Sequence, residues 1–312
     1  MEGQDHCMLI RRVSNSTAAL VLTLVLVTAG CWSADAVRHN GCYERAGPGP
    51  KIEVAQICCN EMYKESREIA MNAATDQAVL SLKLGWTRCY LLRCTGGYLL
   101  IDTDYPKHYP RFKEKLANLG IATSEIKYLL ITHHHDDHAG FASELVRSTG
   151  CKVIAHRNAL SALERGRSED GGRPFNRRLR IVLALYMLYA KFFEEWNFPP
   201  LTLTERDTVI EGDNDDFLKG IGIDGVILHT PGHTRDSISV LLCDGSAFVG
   251  DAAMNFLRWT GVGHRPIYIE DINTVYESWR KLRERGAKLI YPAHGKSFSA
   301  AKLDKWARHV PF

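Results

Sequence analysis

This chain lacks an excess of charge of either sign. Its 312 residues carry 39 Lys and Arg against 36 Asp and Glu, a net charge of +3 with histidine neutral. Nucleic-acid binding is normally announced by a clustered basic face, so no nucleic-acid partner is expected. The run "RRLR" (177–180) is too short to supply such a face and reads as a solvated helix start. CxxC spacing is missing among the nine cysteines, which argues against a zinc knuckle or a dithiol redox motif. Long apolar runs are missing too. "AALVLTLVLVTAG" (18–30) and "LRIVLALYMLYAKFF" (179–193) both fall short of the about 20 residues that span a bilayer. The rest of the composition, 45% hydrophobic and 24% charged, is that of a globular protein with one large domain or two.

The N-terminus reads as a targeting segment. Arg11 and Arg12 precede the apolar run 18–30, and "ADA" (34–36) offers a small-x-small cleavage site. "TAGC" (28–31) is the weaker alternative, a lipoprotein-like box. Residues 1–36 are therefore expected to be a signal peptide or anchor, the only part to meet a membrane. The protein would then be secreted, periplasmic or membrane-anchored; translation from Met62 or Met71 would leave it cytoplasmic instead. Residues 37–77, with "AGPGP" (46–50) and a charged helical stretch, show no domain core. Cys7, Cys31, Cys42, Cys58 and Cys59 all lie in this first part of the chain, and their pairing is not encoded.

From Ala78 onward the pattern is regular. Strands are expected at 78–85, 87–94, 98–103, 126–132, 151–156, 208–212, 225–230, 237–243, 246–251 and 287–292. Helices are expected at 109–120, 140–150 and 273–286, and from about Ala300. This alternation indicates an α/β domain spanning 78–312. Residues 157–200 interrupt it as a helical insertion. Its apolar run at 179–193 is hydrophobic on nearly every side, which predicts a buried helix. We expect it to pack on the domain with one edge toward a small-molecule substrate; resting on a membrane is the alternative.

The densest polar run, "THHHDDHAG" (132–140), follows the buried strand "YLLI". In a loop leaving a strand, alternate residues face the same way. His133 and His135 can then converge on one metal, while Asp137 and His138 face a second about 3.5–4 Å away. Imidazole and carboxylate without cysteine suit zinc, iron or manganese. Three later residues also sit at strand ends beside glycine: His233 in "TPGHT", Asp251 in "FVGDA" and His294 in "YPAHG". Strand ends of an α/β sheet are where sites gather. His156, His229 and His264 have weaker claims; the first two read as ordinary polar strand ends, and His264 as a residue able to line a pocket.

"HHHDDH", "GHT", "GD" and "AHG", in that order, resemble the metallo-β-lactamase superfamily. The resemblance runs from Ala78 to the C-terminus. It implies a four-layer αβ/βα sandwich with the site between two sheets, and two divalent metal ions, zinc first with iron or manganese as alternatives. His133, His135 and His233 would bind one metal and Asp137, His138 and His294 the other, with Asp251 bridging. His134 and Asp136 fall on the family's variable positions.

The implied chemistry is hydrolysis of an ester, thioester, lactone or amide by metal-bound hydroxide, with Asp137 as the catalytic residue that orients the nucleophile and moves its proton. Asp251 counts against a dedicated β-lactamase, where the resemblance leads one to expect cysteine or serine. Met254 counts against a standard lactonase, which carries tyrosine there. Two alternatives share the same residues: a phosphodiesterase or nuclease, and an iron-dependent sulfur or oxygen redox protein.

Overall fold

The computed structural model describes residues 79–169, 172–190 and 197–307. The expectations for residues 1–36 and 37–77, and the cysteines there, lie outside these residues. Two sheets face one another. The first has strand order β1-β2-β3-β4-β5-β7, with β1 (Leu80–Lys83), β2 (Arg88–Cys94), β3 (Gly97–Ile101), β4 (Ile126–Leu130), β5 (Lys152–His156) and β7 (Thr208–Ile210). Its β1–β2 and β2–β3 pairs are antiparallel; from β3 to β7 the pairs are parallel. The second has the order β13-β12-β10-β9-β8, with β8 (Gly225–His229), β9 (Ile238–Leu242), β10 (Ser246–Phe248), β12 (Leu289–Tyr291) and β13 (Phe298–Ser299).

Alternation along the strands sorts the apolar side chains into layers, because successive residues of a strand point to opposite faces. In β2, Tyr90 and Leu92 face the second sheet, while Cys89 and Leu91 face outward. In β3, Leu99 and Ile101 go inward, and Tyr98 and Leu100 outward. Opposite them, Ile238, Val240 and Leu242 of β9 and Phe248 of β10 complete the inner core. The outward residues of the first sheet pack on α1 (Tyr109–Asn118) through Phe112 and Leu116, on α3 (Ala142–Thr149) through Leu145, and on α4 (Leu160–Arg165) through Leu163, past the single-turn α2 (Asp136–Ala139). The outward residues of the second sheet pack on α7 (Ile272–Glu284) through Val275, Trp279 and Leu282 and on α8 (Ala301–Ala307) through Leu303. The short α6 (Phe217–Gly220) adds Leu218 to the inner core. The result is the expected four-layer αβ/βα sandwich. Each fully buried aliphatic side chain contributes about 1.5–3 kcal/mol to it.

The insertion docks at one end. Its strand β6 (Arg173–Pro174) pairs with β11 (Tyr268–Ile269), and α5 (Arg177–Ala190) follows. Asn176 caps α5: its side chain accepts from the Leu179 amide at 2.9 Å and donates to the Thr260 carbonyl. Leu179 and Leu183 then pack on Val262, with Leu257, Ile267 and Tyr268 around them. The expectation of burial on every side needs correction. Ile181, Leu185 and Leu188 are 53%, 50% and 64% exposed. Where this short helix meets the 257–268 segment it has a neighbour on one side, and its other apolar face points away. No helix among the described residues is long and apolar enough to cross a membrane.

Tight backbone contacts hold the strand ends together. Thr132, just past β4, accepts at its carbonyl from the Ile238 amide of the second sheet. Gly250, at φ 50°, lies against the Thr132 side chain, where an added Cβ would meet Oγ1 at 2.3 Å. Gly250→Ala is therefore expected to destabilise the fold by about 1–3 kcal/mol through overpacking, read as a lower urea midpoint at unchanged slope. An unchanged midpoint would show that the two loops separate without cost.

Candidate metal centre

The strand-end residues converge. Past β4 the chain turns into α2 with alternate side chains inward, so His133 Nε2 lies 3.1 Å from His135 Nδ1. His233, on the loop after β8, brings Nε2 to 3.1 Å from His133 Nε2 and 3.2 Å from His135 Nδ1. Asp137 Oδ2 lies 3.0 Å from Nε2 of His294, which follows β12. His138 Nε2 lies 3.6 Å from Asp137 Oδ1. Asp251, after β10, stands between the two groups. Its Oδ1 is 3.5 Å from His138 Nε2 and 3.4 Å from His294 Nε2, and its Oδ2 is 3.6 Å from His233 Nε2. Three sets of facing ligand atoms result: His133, His135 and His233; Asp137, His138 and His294; and His133, His138 and Asp251.

The donor set fits cations. His233 donates Nδ1–H to the Tyr268 carbonyl at 2.8 Å, and His294 donates to the Trp86 carbonyl at 3.2 Å. His138 donates to Asp102 Oδ2 at 2.9 Å. The Thr132 hydroxyl gives its proton to Asp102 Oδ2, so it accepts from His133 Nδ1 at 3.1 Å. A proton on Nδ1 leaves Nε2 with a bare lone pair. His133 Nε2 and His233 Nε2 so meet each other and His135 Nδ1 at 3.1–3.2 Å; tetrahedral zinc with bonds of about 2.0–2.1 Å spans about 3.3 Å between ligand nitrogens. His138 Nε2 and Asp251 Oδ1 are both buried without a hydrogen bond, which is costly unless a cation compensates.

Electrostatics differ between the two groups. Burial, then the surrounding imidazoles, hold His133 far below its ordinary pKa and His135 down to about 3. Burial also opposes protonation of His294, but the Asp251 and Asp137 carboxylates outweigh it and lift it to about 10. His138 moves the same way, toward Asp137, Asp251 and Asp102. In turn, His138 and His294 hold Asp137 and Asp251 below the usual carboxylate range despite their burial. One group offers the neutral nitrogens of His133 and His135, the other a carboxylate-rich pocket.

Several residues without a role in the sequence reading support this arrangement. Asp102, at the end of β3, sits at φ 60° and is 1% exposed. Its Oδ1 accepts from the Thr132 amide at 2.7 Å. The legible signal was only a strand ending in acid. Asp236 accepts from the His134 amide at 2.9 Å and faces His134 Nδ1 at 3.0 Å. Burial would raise the Asp236 pKa, but His134 pulls it down to about 2. His134 and Asp136 thus turn away from the centre. His134 meets the Glu169 backbone and Asp136 bonds Ser168, so both grip the start of the insertion.

Other histidines are not brought to the centre. His156 and His229 stack on each other, with ring centroids 4.2 Å apart. His264 donates Nδ1–H to the Met254 carbonyl and stacks on Phe298 at 3.9 Å, which closes the 254–264 loop. The rim beside His294 is aromatic instead. Trp86, 48% exposed, meets Phe256 edge-on at 5.5 Å, and Phe256 lies 6.0 Å from the His294 ring.

Comparison with known proteins identifies the family. The sequence profile of the Metallo-beta-lactamase superfamily matches residues 85–294. A metallo-beta-lactamase fold-containing protein of Sulfurisphaera tokodaii is 31% identical over 188 residues, which cover 60% of this chain and 67% of that protein. A beta-lactamase-like protein 2 homolog of Caenorhabditis elegans is 24% identical over 72% of this chain and 61% of its own length. Among solved structures, BJP-1, a subclass B3 metallo-beta-lactamase of Bradyrhizobium japonicum, aligns with a TM-score of 0.51 at 19% identity, over 74% of this chain and 87% of that chain. The profile match takes in every strand-end histidine and aspartate described above, and the chain belongs to the metallo-β-lactamase superfamily.

Proposed function

We propose that the protein is a hydrolase that holds two divalent cations, zinc in the first instance, and cleaves an ester, thioester, lactone or amide. The observation that carries this reading is the position of Asp251, with Oδ2 toward His233 and Oδ1 toward His138 and His294. Such a carboxylate can be shared by two ions, held by His133, His135 and His233 on one side and by Asp137, His138 and His294 on the other. When bound, the pair supplies Lewis acidity to the substrate oxygen and acidifies a water molecule to near neutrality.

The protein groups do the rest. Asp137 is kept ionised by His138 and His294 and takes a weak hydrogen bond from the Thr87 hydroxyl at 3.3 Å. Its remaining lone pairs can orient the attacking water and accept its proton. Asp102 fixes His138 by its hydrogen bond at Nδ1. The Trp86–Phe256 edge offers apolar contact to the acyl part of a carbonyl substrate.

Asp137→Ala should lower kcat by about 10²–10⁴-fold with the far-UV CD spectrum retained; near-normal hydrolysis would sink the assignment. The assay is a chromogenic panel of thioester, lactone, ester, β-lactam and bis-nitrophenyl phosphate on the zinc-loaded protein. Turnover of the phosphodiester alone would favour a nuclease-like activity, and bound iron with oxygen uptake a redox one. A separate outcome is expected for Asp102→Asn, which removes the negative charge and one of the two acceptor oxygens shared by Thr132 and His138. Chelator competition should show metal affinity about 10–100-fold weaker, and unchanged affinity would mean that His138 holds its orientation unaided.

A further inference from the structure

The outward face of α5 has no partner within the described chain. At about 100° per residue, Ile181, Leu185 and Leu188 fall within an arc of roughly 60°, opposite the buried Leu179 and Leu183. Arg177 and Arg178 flank that arc at the N-terminal end, and both are exposed, as is Arg180. From Gly172 to Lys191 every ionisable side chain apart from tyrosine is basic. Arginines in the first turn oppose the helix dipole, and the Asn176 cap already serves the helix start. Their placement therefore costs local stability and points to something outside the helix. A helix of about 21 Å with an apolar face and a basic end is the form that lies in a membrane interface.

We infer that α5 is a docking surface for an anionic lipid bilayer, with Ile181, Leu185 and Leu188 entering the interface and the arginines meeting lipid headgroups. Charge decides among the occupants. A second copy packed head to head by two-fold symmetry would bring like-charged arginine clusters together, and an antiparallel copy would offer them no carboxylate, since residues 172–191 contain no Asp or Glu. The apolar run at 18–30 follows Arg11 and Arg12, so it complements α5 no better. Both segments instead suit the same negatively charged surface. This contact adds to the one expected of the N-terminus, and does not depend on which bond the centre cleaves.

The test is amide hydrogen exchange of the full-length protein, alone, with phosphatidylcholine vesicles, and with vesicles that also contain phosphatidylserine. Slower exchange at 177–190 is expected only with phosphatidylserine, and it should fade as salt is raised. Ile181→Gln, Leu185→Gln and Leu188→Gln together should remove that protection and weaken vesicle partition by about tenfold or more, at an unchanged melting temperature. Arg177→Glu with Arg178→Glu should abolish the phosphatidylserine dependence. The inference is overturned if vesicles bind the protein but leave exchange at 177–190 unchanged, since the N-terminal segment then acts alone. Equal protection on neutral vesicles overturns it as well. So does protection that needs no vesicles and grows with protein concentration, which would place a second copy on this face.

Discussion

Asp102 is a buried carboxylate in a left-handed backbone conformation, and its two oxygens take hydrogen bonds from the Thr132 amide, the Thr132 hydroxyl and His138 Nδ1. Through His138 it sets one imidazole of the carboxylate-rich group. Through Thr132 it sets His133, because a hydroxyl that has given its proton to Asp102 can only accept from Nδ1. Thr132 also carries the contact between the sheets, taking the Ile238 amide on its carbonyl and Gly250 against its side chain. An isolated buried anion would be expensive. Here its three donors repay much of that cost, and the strain at φ 60° persists because the surroundings over-determine it. One nitrogen in each group, that of His133 and that of His138, is thus aligned by this one placement.

Much of this is legible in the sequence. The succession of strands and helices from Ala78 indicated an α/β domain, and His133, His135, Asp137, His138, His233, Asp251 and His294 each stood at or just after the end of an apolar run. What was not readable has a common physical cause. Trp86 and Tyr268 act through backbone carbonyls, which carry no side-chain signature. Asp102 and Asp236 are recognisable only from partners distant in sequence, 36 residues away for His138 and 102 for His134. α5 was misjudged because apolar composition reports what a helix could bury, while the number of neighbouring elements decides what it does bury.

The insertion is more closely tied to the centre than its place in the chain suggests. Ser168 and Glu169 at its start hold Asp136 and His134, the two residues of the histidine run that turn outward. At its far end, β6 pairs with β11, whose Tyr268 carbonyl holds His233. Residues that look like spacers in the run are thus anchors for a peripheral element, which touches the loop of His133 and His135 directly and reaches that of His233 through β11.

Asp251 is one rigid carboxylate facing two groups of different character. Whatever fixes the direction of Oδ2 also fixes Oδ1, since both oxygens turn about a single bond. If both groups hold cations, as proposed, they would not fill as independent sites. Asp251 would be oriented for the second ion by the first, and the two positive charges would repel. By linkage, each occupant would alter the affinity of the other by the same factor, with a sign set by the balance of orientation against repulsion.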